Sequence, residues 1–164
     1  MKNFSITPIE IIKSFTKNRS LIYQMSKREV VGRYKGSLMG LLWSFFNPAL
    51  MLVIYTFVFS IIFKARWPGV TNNLEFAGIL FAGLIIYSLF SECISRSPSL
   101  ILSNVNYVKK VIFPLEILSW IALGSSLFHA SVSVIVLLGF MLFLTGGLHW
   151  TVVFFPLVIF PLLL

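Results

Sequence analysis

The sequence predicts an all-α protein that crosses a membrane several times. Three observations lead there. Of 164 residues, 58% are hydrophobic and only 11% are charged. A soluble domain of this size carries about a quarter of its residues as charges, so too little polar side chain is present to cover a water-facing globule. Mean hydropathy is +0.95. The few charges are also clustered, leaving long uncharged runs that locate the spans.

The chain begins with a polar and basic segment, 1–35, before the first such run. "ITPIEIIKSFTKN" (6–18) reads as a short surface helix. Thr7 is placed to cap it, Pro8 suits its first turn, and Glu10 stands at the third helical position. Ile9, Ile12 and Phe15 recur at helical spacing, with Lys13 and Lys17 on the wet side. A second segment, "SLIYQMSKREVVGRYK" (20–35), mixes apolar and basic residues in a weaker stripe. Both suit helices at the cytoplasmic membrane surface, with lysine and arginine near anionic headgroups. Simple interfacial anchoring and a dedicated partner site are both open.

Residues 36–164 form the predicted transmembrane region. Gly36 to Phe63 carries no charged side chain, and 41–63 is apolar almost throughout. About 20 residues at ~1.5 Å each cross the hydrocarbon layer, so this run is a full span. It contains Asn47-Pro48, where a proline inside a helix removes a hydrogen bond and favours a kink. The run Phe76–Ser91 is shorter. It spans only if its helix continues past Glu92 toward Arg96, two residues spaced for an intrahelical ion pair in the favourable order. From Ile117 to the last residue there is no Asp, Glu, Lys or Arg, and "TGG" at 145–147 divides that run. The result is three complete spans and the start of a fourth. A chain ending on leucines inside a bilayer leaves backbone groups unsatisfied, which suggests the front part of a longer protein.

Between spans two and three lies "SNVNYVKKVIFPLEI" (103–117), a short basic patch between oily segments. Ser97-Pro98 reads as a helix start, serine as cap and proline in the first position. Ile101, Val105 and Val108 align at i, i+4 and i+7 as one apolar face. Ser103, Asn104 and Asn106 leave the rest polar, and Lys109 and Lys110 fall where the helix dipole favours cations. The segment has the shape of an amphipathic docking helix.

Orientation follows from the basic residues. Eight of thirteen lie in 1–40, two (Lys64, Arg66) in the 64–75 loop, and three in 92–116. A cytoplasmic N-terminus therefore puts eleven of them inside, together with the 103–117 patch. The net charge of +8 is explained by this anchoring beside membrane lipids, and nucleic acid is not an expected partner. A single cysteine, Cys93, excludes an internal disulfide and a paired-cysteine metal site. There is no G-x-x-x-x-G-K-[ST] loop, no aspartate, and only two histidines (His129, His149). A catalytic or metal-binding constellation has little to be built from, so no catalytic, metal or cofactor residue is assigned.

"RYKGSLMGLLWSFFNPALMLVIYTFVF" (33–59) and "SNVNYVKKVIFPLEIL" (103–118) resemble the membrane subunit of the ABC-2 type transporters that export polysaccharides such as O-antigen, capsule and teichoic acid chains. The Lys-Lys-Val-x-Phe-Pro-x-Glu-Ile-Leu element is the more specific of the two. The resemblance covers essentially the whole chain. It implies a bacterial inner-membrane, multi-pass permease of six spans, a homodimer, working with two copies of a separate ATP-binding subunit that holds ATP and Mg. It further implies that residues 98–110 are the coupling helix, with Ile101, Asn104, Val105, Val108, Lys109 and Lys110 facing that ATPase. A lipid-linked polysaccharide would pass an aromatic-lined path, for which Trp43, Phe46, Tyr55, Phe59, Tyr87 and Phe90 are candidates. Two other readings remain: an ABC-2 permease for a drug or small lipid, and a non-transporting membrane scaffold or glycan-modifying enzyme. The latter would require clustered polar residues within the spans.

Overall fold

A computed structural model describes residues 14–63, 73–105 and 116–145. Every regular element among them is helical. In chain order they are α1 (Arg19–Tyr34), a 3-10 turn (Gly40–Leu42), α2 (Trp43–Tyr55), a π-helical segment (Thr56–Ile62), α3 (Asn73–Arg96), a 3-10 turn (Ser97–Ser99), α4 (Leu100–Ser103) and α5 (Glu116–Thr145). The helix start at Thr7-Pro8, the 64–72 loop, Val108, Lys109, Lys110 and everything after Thr145 lie outside the described residues.

Three stretches are long and apolar enough to cross a membrane: Gly40–Ile62, Leu74–Ser103 and Ile117–Leu144. These are the three spans that the uncharged runs predict. The second is 30 residues long, about ten more than the hydrocarbon layer needs. Its three charges, Glu75, Glu92 and Arg96, stand toward its two ends and leave its middle uncharged.

The residues group into two compact units. The first combines 1–37 with 91–128, and so contains α1, the end of α3, α4 and the beginning of α5. Its core is Ile22 from α1 against Ile117, Leu118 and Ile121 from α5, with Met25 and Trp120 at the edge. On α1 the inward residues are Ile22, Ser26 and Val30, one turn apart each time, as a helix with one packed face requires. Phe15 extends that contact, its ring 4.6 Å from the Trp120 ring. Gly36, at φ +93, ends the turn after α1 in a conformation that only glycine takes without strain.

The second unit, 38–90 with 129–164, holds α2, the π-helical segment, most of α3 and the rest of α5. The α3 residues Ala77, Phe81, Ile85 and Leu89 are buried at four-residue intervals. Pro48 lies inside α2 without ending it. Pro48 has no N–H to offer the Ser44 carbonyl, and the Ser44 hydroxyl donates to the Leu41 carbonyl at 2.7 Å. At Thr56 the hydroxyl donates to the Leu52 carbonyl at 2.7 Å, and there the helix widens. The wide turn ends with Phe63 N–H bonded to Val58 O, a five-residue step, at 2.9 Å.

Candidate functional site

In the first unit, α1 and the end of α3 are joined by charge. Arg33 donates to Glu92 Oε1 at 2.5 Å, and Arg96 donates to Glu29 Oε1. Arg96 also stands 3.7 Å from Glu92, the i,i+4 pair that the sequence suggests. That local pair is thus the longest contact of a four-residue network, and both ends of it have closer partners on another helix. The side chains are between 24% and 36% exposed, so the network is partly shielded from water. Burial pushes the neighbouring Tyr34 hydroxyl above its ordinary pKa, while Arg33 pulls it down and Glu92 adds to the rise.

Beside this network lies an open cleft of about 470 Å³. Met25, Leu118 and Ile121 give it an apolar floor, and Arg28, Glu29 and Arg96 line it with charge. Ser99, Leu100, Ser103 and Asn104 form the remaining wall, so it opens beside the segment that the sequence marks for docking.

That segment departs from the expected form in two ways. Ser97 does not cap it: the helical path runs through Arg96 and Ser97–Ser99 forms a 3-10 turn, with no side-chain cap and Pro98 inside. The short helix α4 then ends at Ser103, and Asn104 turns out of helical geometry (φ −115, ψ 27). The cause is local. Ser99 donates to the Arg96 carbonyl, Ser103 to the Ser99 carbonyl and the Asn104 amide to the Leu100 carbonyl. Side chains that bond to nearby backbone in this way compete with a regular ladder. Ile101 is 58% exposed and Val105 38%, both on the outside of the unit, while Asn104 is half-buried beside the cleft.

The six aromatic candidates belong to the second unit, and the structure brings them together only in part. Trp43 and Phe46 meet edge to face at 6.4 Å. Tyr55 and Phe59 are also 6.4 Å apart, and Phe59 continues to Phe63 and Phe76 at 5.8 and 6.2 Å. The rings at 55, 59 and 63 are neighbours in four-residue steps along one side of the helix, tilted to one another by 40° and 33°. Tyr87 and Phe90 point outward, 66% and 51% exposed.

The family model for the ABC-2 type transporter matches residues 20–164. The chain belongs to this family. It is 27% identical over 151 residues to an O-antigen export system permease protein RfbA of Myxococcus xanthus, covering 92% of this chain and 56% of that one. Two proteins of the same name from Klebsiella pneumoniae are 29% and 27% identical over 132 residues, 79% of this chain and 49% of theirs. The chain thus spans about half the length of the curated relatives it matches. No solved structure matches it. As an ABC-2 family chain it is a multi-pass membrane protein, and the network joins Glu29 and Arg33, which precede the first span, to Glu92 and Arg96 in the last part of the second.

Residues that the sequence reading passes over are Glu29 and Arg33. A signal exists: "EVVGR" (29–33) and "ECISR" (92–96) are the same Glu-x-x-x-Arg spacing on two helices.

Proposed function

We propose that this chain provides the membrane part of an ATP-driven exporter that carries a lipid-linked polysaccharide across the bacterial inner membrane. The observation that carries the reading is the similarity, over 92% of the chain, to a permease named for O-antigen export. The protein acts as a homodimer with two copies of a separate ATP-binding subunit, which holds ATP and Mg and performs the hydrolysis. Its N-terminus is cytoplasmic, with 1–35 at the inner surface and 36–164 in the bilayer. Residues 98–110 are the coupling segment, in which Ile101, Asn104, Val105, Val108, Lys109 and Lys110 meet the ATPase. Exposed apolar side chains at Ile101, Leu102 and Val105 are what a groove on a partner would receive. Trp43, Phe46, Tyr55, Phe59, Tyr87 and Phe90 offer faces on which sugar rings slide.

The experiment is genetic and biochemical. Cells lacking the chain should lose surface polysaccharide and accumulate lipid-linked glycan on the inner side, and the purified protein should turn over ATP only with its partner subunit. Normal surface polysaccharide in such cells, or ATP turnover by the chain alone, defeats the reading.

A further inference from the structure

The two ion pairs have an ordered geometry. Moving four residues forward on α1, from Glu29 to Arg33, moves four residues back on α3, from Arg96 to Glu92. Two Glu-x-x-x-Arg modules placed antiparallel are self-complementary: each acid meets a base, and each base an acid. An in-register parallel approach, or an antiparallel one slipped by four residues, sets like charges together. The network is therefore a register device and more than a pair of surface contacts. Its members are partly shielded, so removing one leaves a poorly solvated charge opposite it.

We propose that Glu29, Arg33, Glu92 and Arg96 are positioning residues that clasp α1 to the inner end of α3, so that both move as one piece when the transporter is driven. The inference rests on the transport reading above. Around the clasp, the Ser26 hydroxyl donates to the Ile121 carbonyl at 3.2 Å and Ile22 packs on Ile117, Leu118 and Ile121, so α1 is also held to α5. Two chain segments, the end of α3 and the start of α5, are thus tied to α1, directly behind the segment proposed to meet the ATPase. A push on α1 or on residues 97–105 reaches the spans through this joint. Each α1 ion pair fixes a point along the helix, and two points prevent rotation about either one.

The repeated module supplies its own control. Exchanging the charges on α1 alone (Glu29→Arg with Arg33→Glu) keeps the net charge and an i,i+4 acid–base pair within the helix, yet sets like against like across the clasp. Exchanging them on α3 alone (Glu92→Arg with Arg96→Glu) does the same. Making all four substitutions restores every pairing with reversed sign. The four proteins are compared in the intact transporter by thermal melting of the solubilised complex, by ATP turnover and by polysaccharide export. Each single-helix exchange should lower the melting temperature and reduce export about tenfold while ATP turnover persists, the signature of a lost coupling. The four-residue exchange should recover both melting and export. Single-helix exchanges that melt and export like the unmodified protein overturn the clasp, as does a four-residue exchange as impaired as its parents. Melting recovered without export overturns the role in transmission. Should the unmodified protein neither export glycan nor bind an ATPase, the transport reading fails, and the melting comparison still decides whether the clasp exists.

Discussion

Ser26 on α1 reaches the Ile121 carbonyl on α5, at 3.2 Å, because residue 124 is glycine. A Cβ at position 124 would lie 2.6 Å from Ser26 Oγ and 3.2 Å from Ser26 Cβ. The two helices touch at this point through a hydroxyl and a bare backbone, as close helix contacts in membrane proteins commonly do. Gly124→Val should therefore push α1 away from α5, at a cost of about 1–3 kcal/mol for overpacking. Hydrogen exchange of the α1 amides, measured in detergent, should accelerate in this variant, while Ser26→Gly combined with it restores slow exchange. Equal exchange in Gly124→Val and the unmodified chain would show that α1 is held elsewhere.

Phe81 and Tyr87 separate packing from passage. Phe81 is buried in the second unit and Tyr87 is 66% exposed. Phe81→Ala leaves a void whose lining loses its dispersion contacts, so it should lower thermal stability and export together. Tyr87→Ala removes an exposed ring and should leave the melting temperature unchanged while slowing export, if sugar rings stack there. Unchanged export in a well-folded Tyr87→Ala protein would take Tyr87 off the path.

How far the sequence carried depends on the range of the interaction. The first and third spans were legible within a residue or two, because hydrophobic runs and the absence of charge are properties of consecutive residues. So was α1. The second span was read only as far as Arg96, and its apolar helical stretch runs on to Ser103. The Glu92–Arg96 pair was legible only as a local contact, since its closer partners stand 59 and 67 positions away. The break at Asn104 was missed for a different reason: apolar spacing at 101, 105 and 108 argued for one helix, and serine and asparagine side chains competing for backbone carbonyls overrode it. The wide turn at Thr56–Ile62 has no composition that announces it. Of the site residues, Asn104 lines the cleft and Ile101 and Val105 are exposed outside it, whereas Val108, Lys109 and Lys110 lie outside the described residues.

The charge asymmetry gives a topology test. With eleven of thirteen basic residues on one side, the N-terminus and the 92–116 segment should be cytoplasmic and the 64–75 loop external. In a protein lacking Cys93, a cysteine placed at residue 72 should react with an impermeant reagent in intact cells, and one placed at residue 106 should react only after the cells are opened. Labelling of residue 106 in intact cells would reverse the orientation and remove the docking segment from reach of any cytoplasmic ATPase.

Val105 tests the docking segment itself. It is 38% exposed, just past the turn at Asn104, with Ile101 and Leu102 more exposed still. An apolar surface of this kind on a short segment gains stability only when covered, and a groove on the ATP-binding subunit is the cover proposed. Val105→Asp would place an unpaired carboxylate in that groove, an unfavourable burial that an ion on the rim would not suffer. Lys109 and Lys110 are basic groups of the kind that contribute about 0–1 kcal/mol each when exposed. Val105→Asp should therefore abolish export and strip the ATPase from the complex while the chain still inserts in the membrane, and Lys109→Ala should retain partial export. The measurement is co-purification of the ATPase alongside export from the same cells. Normal export by Val105→Asp with the ATPase bound would remove residues 98–110 from the coupling route and leave α1, through its clasp to α3, as the path to be examined next.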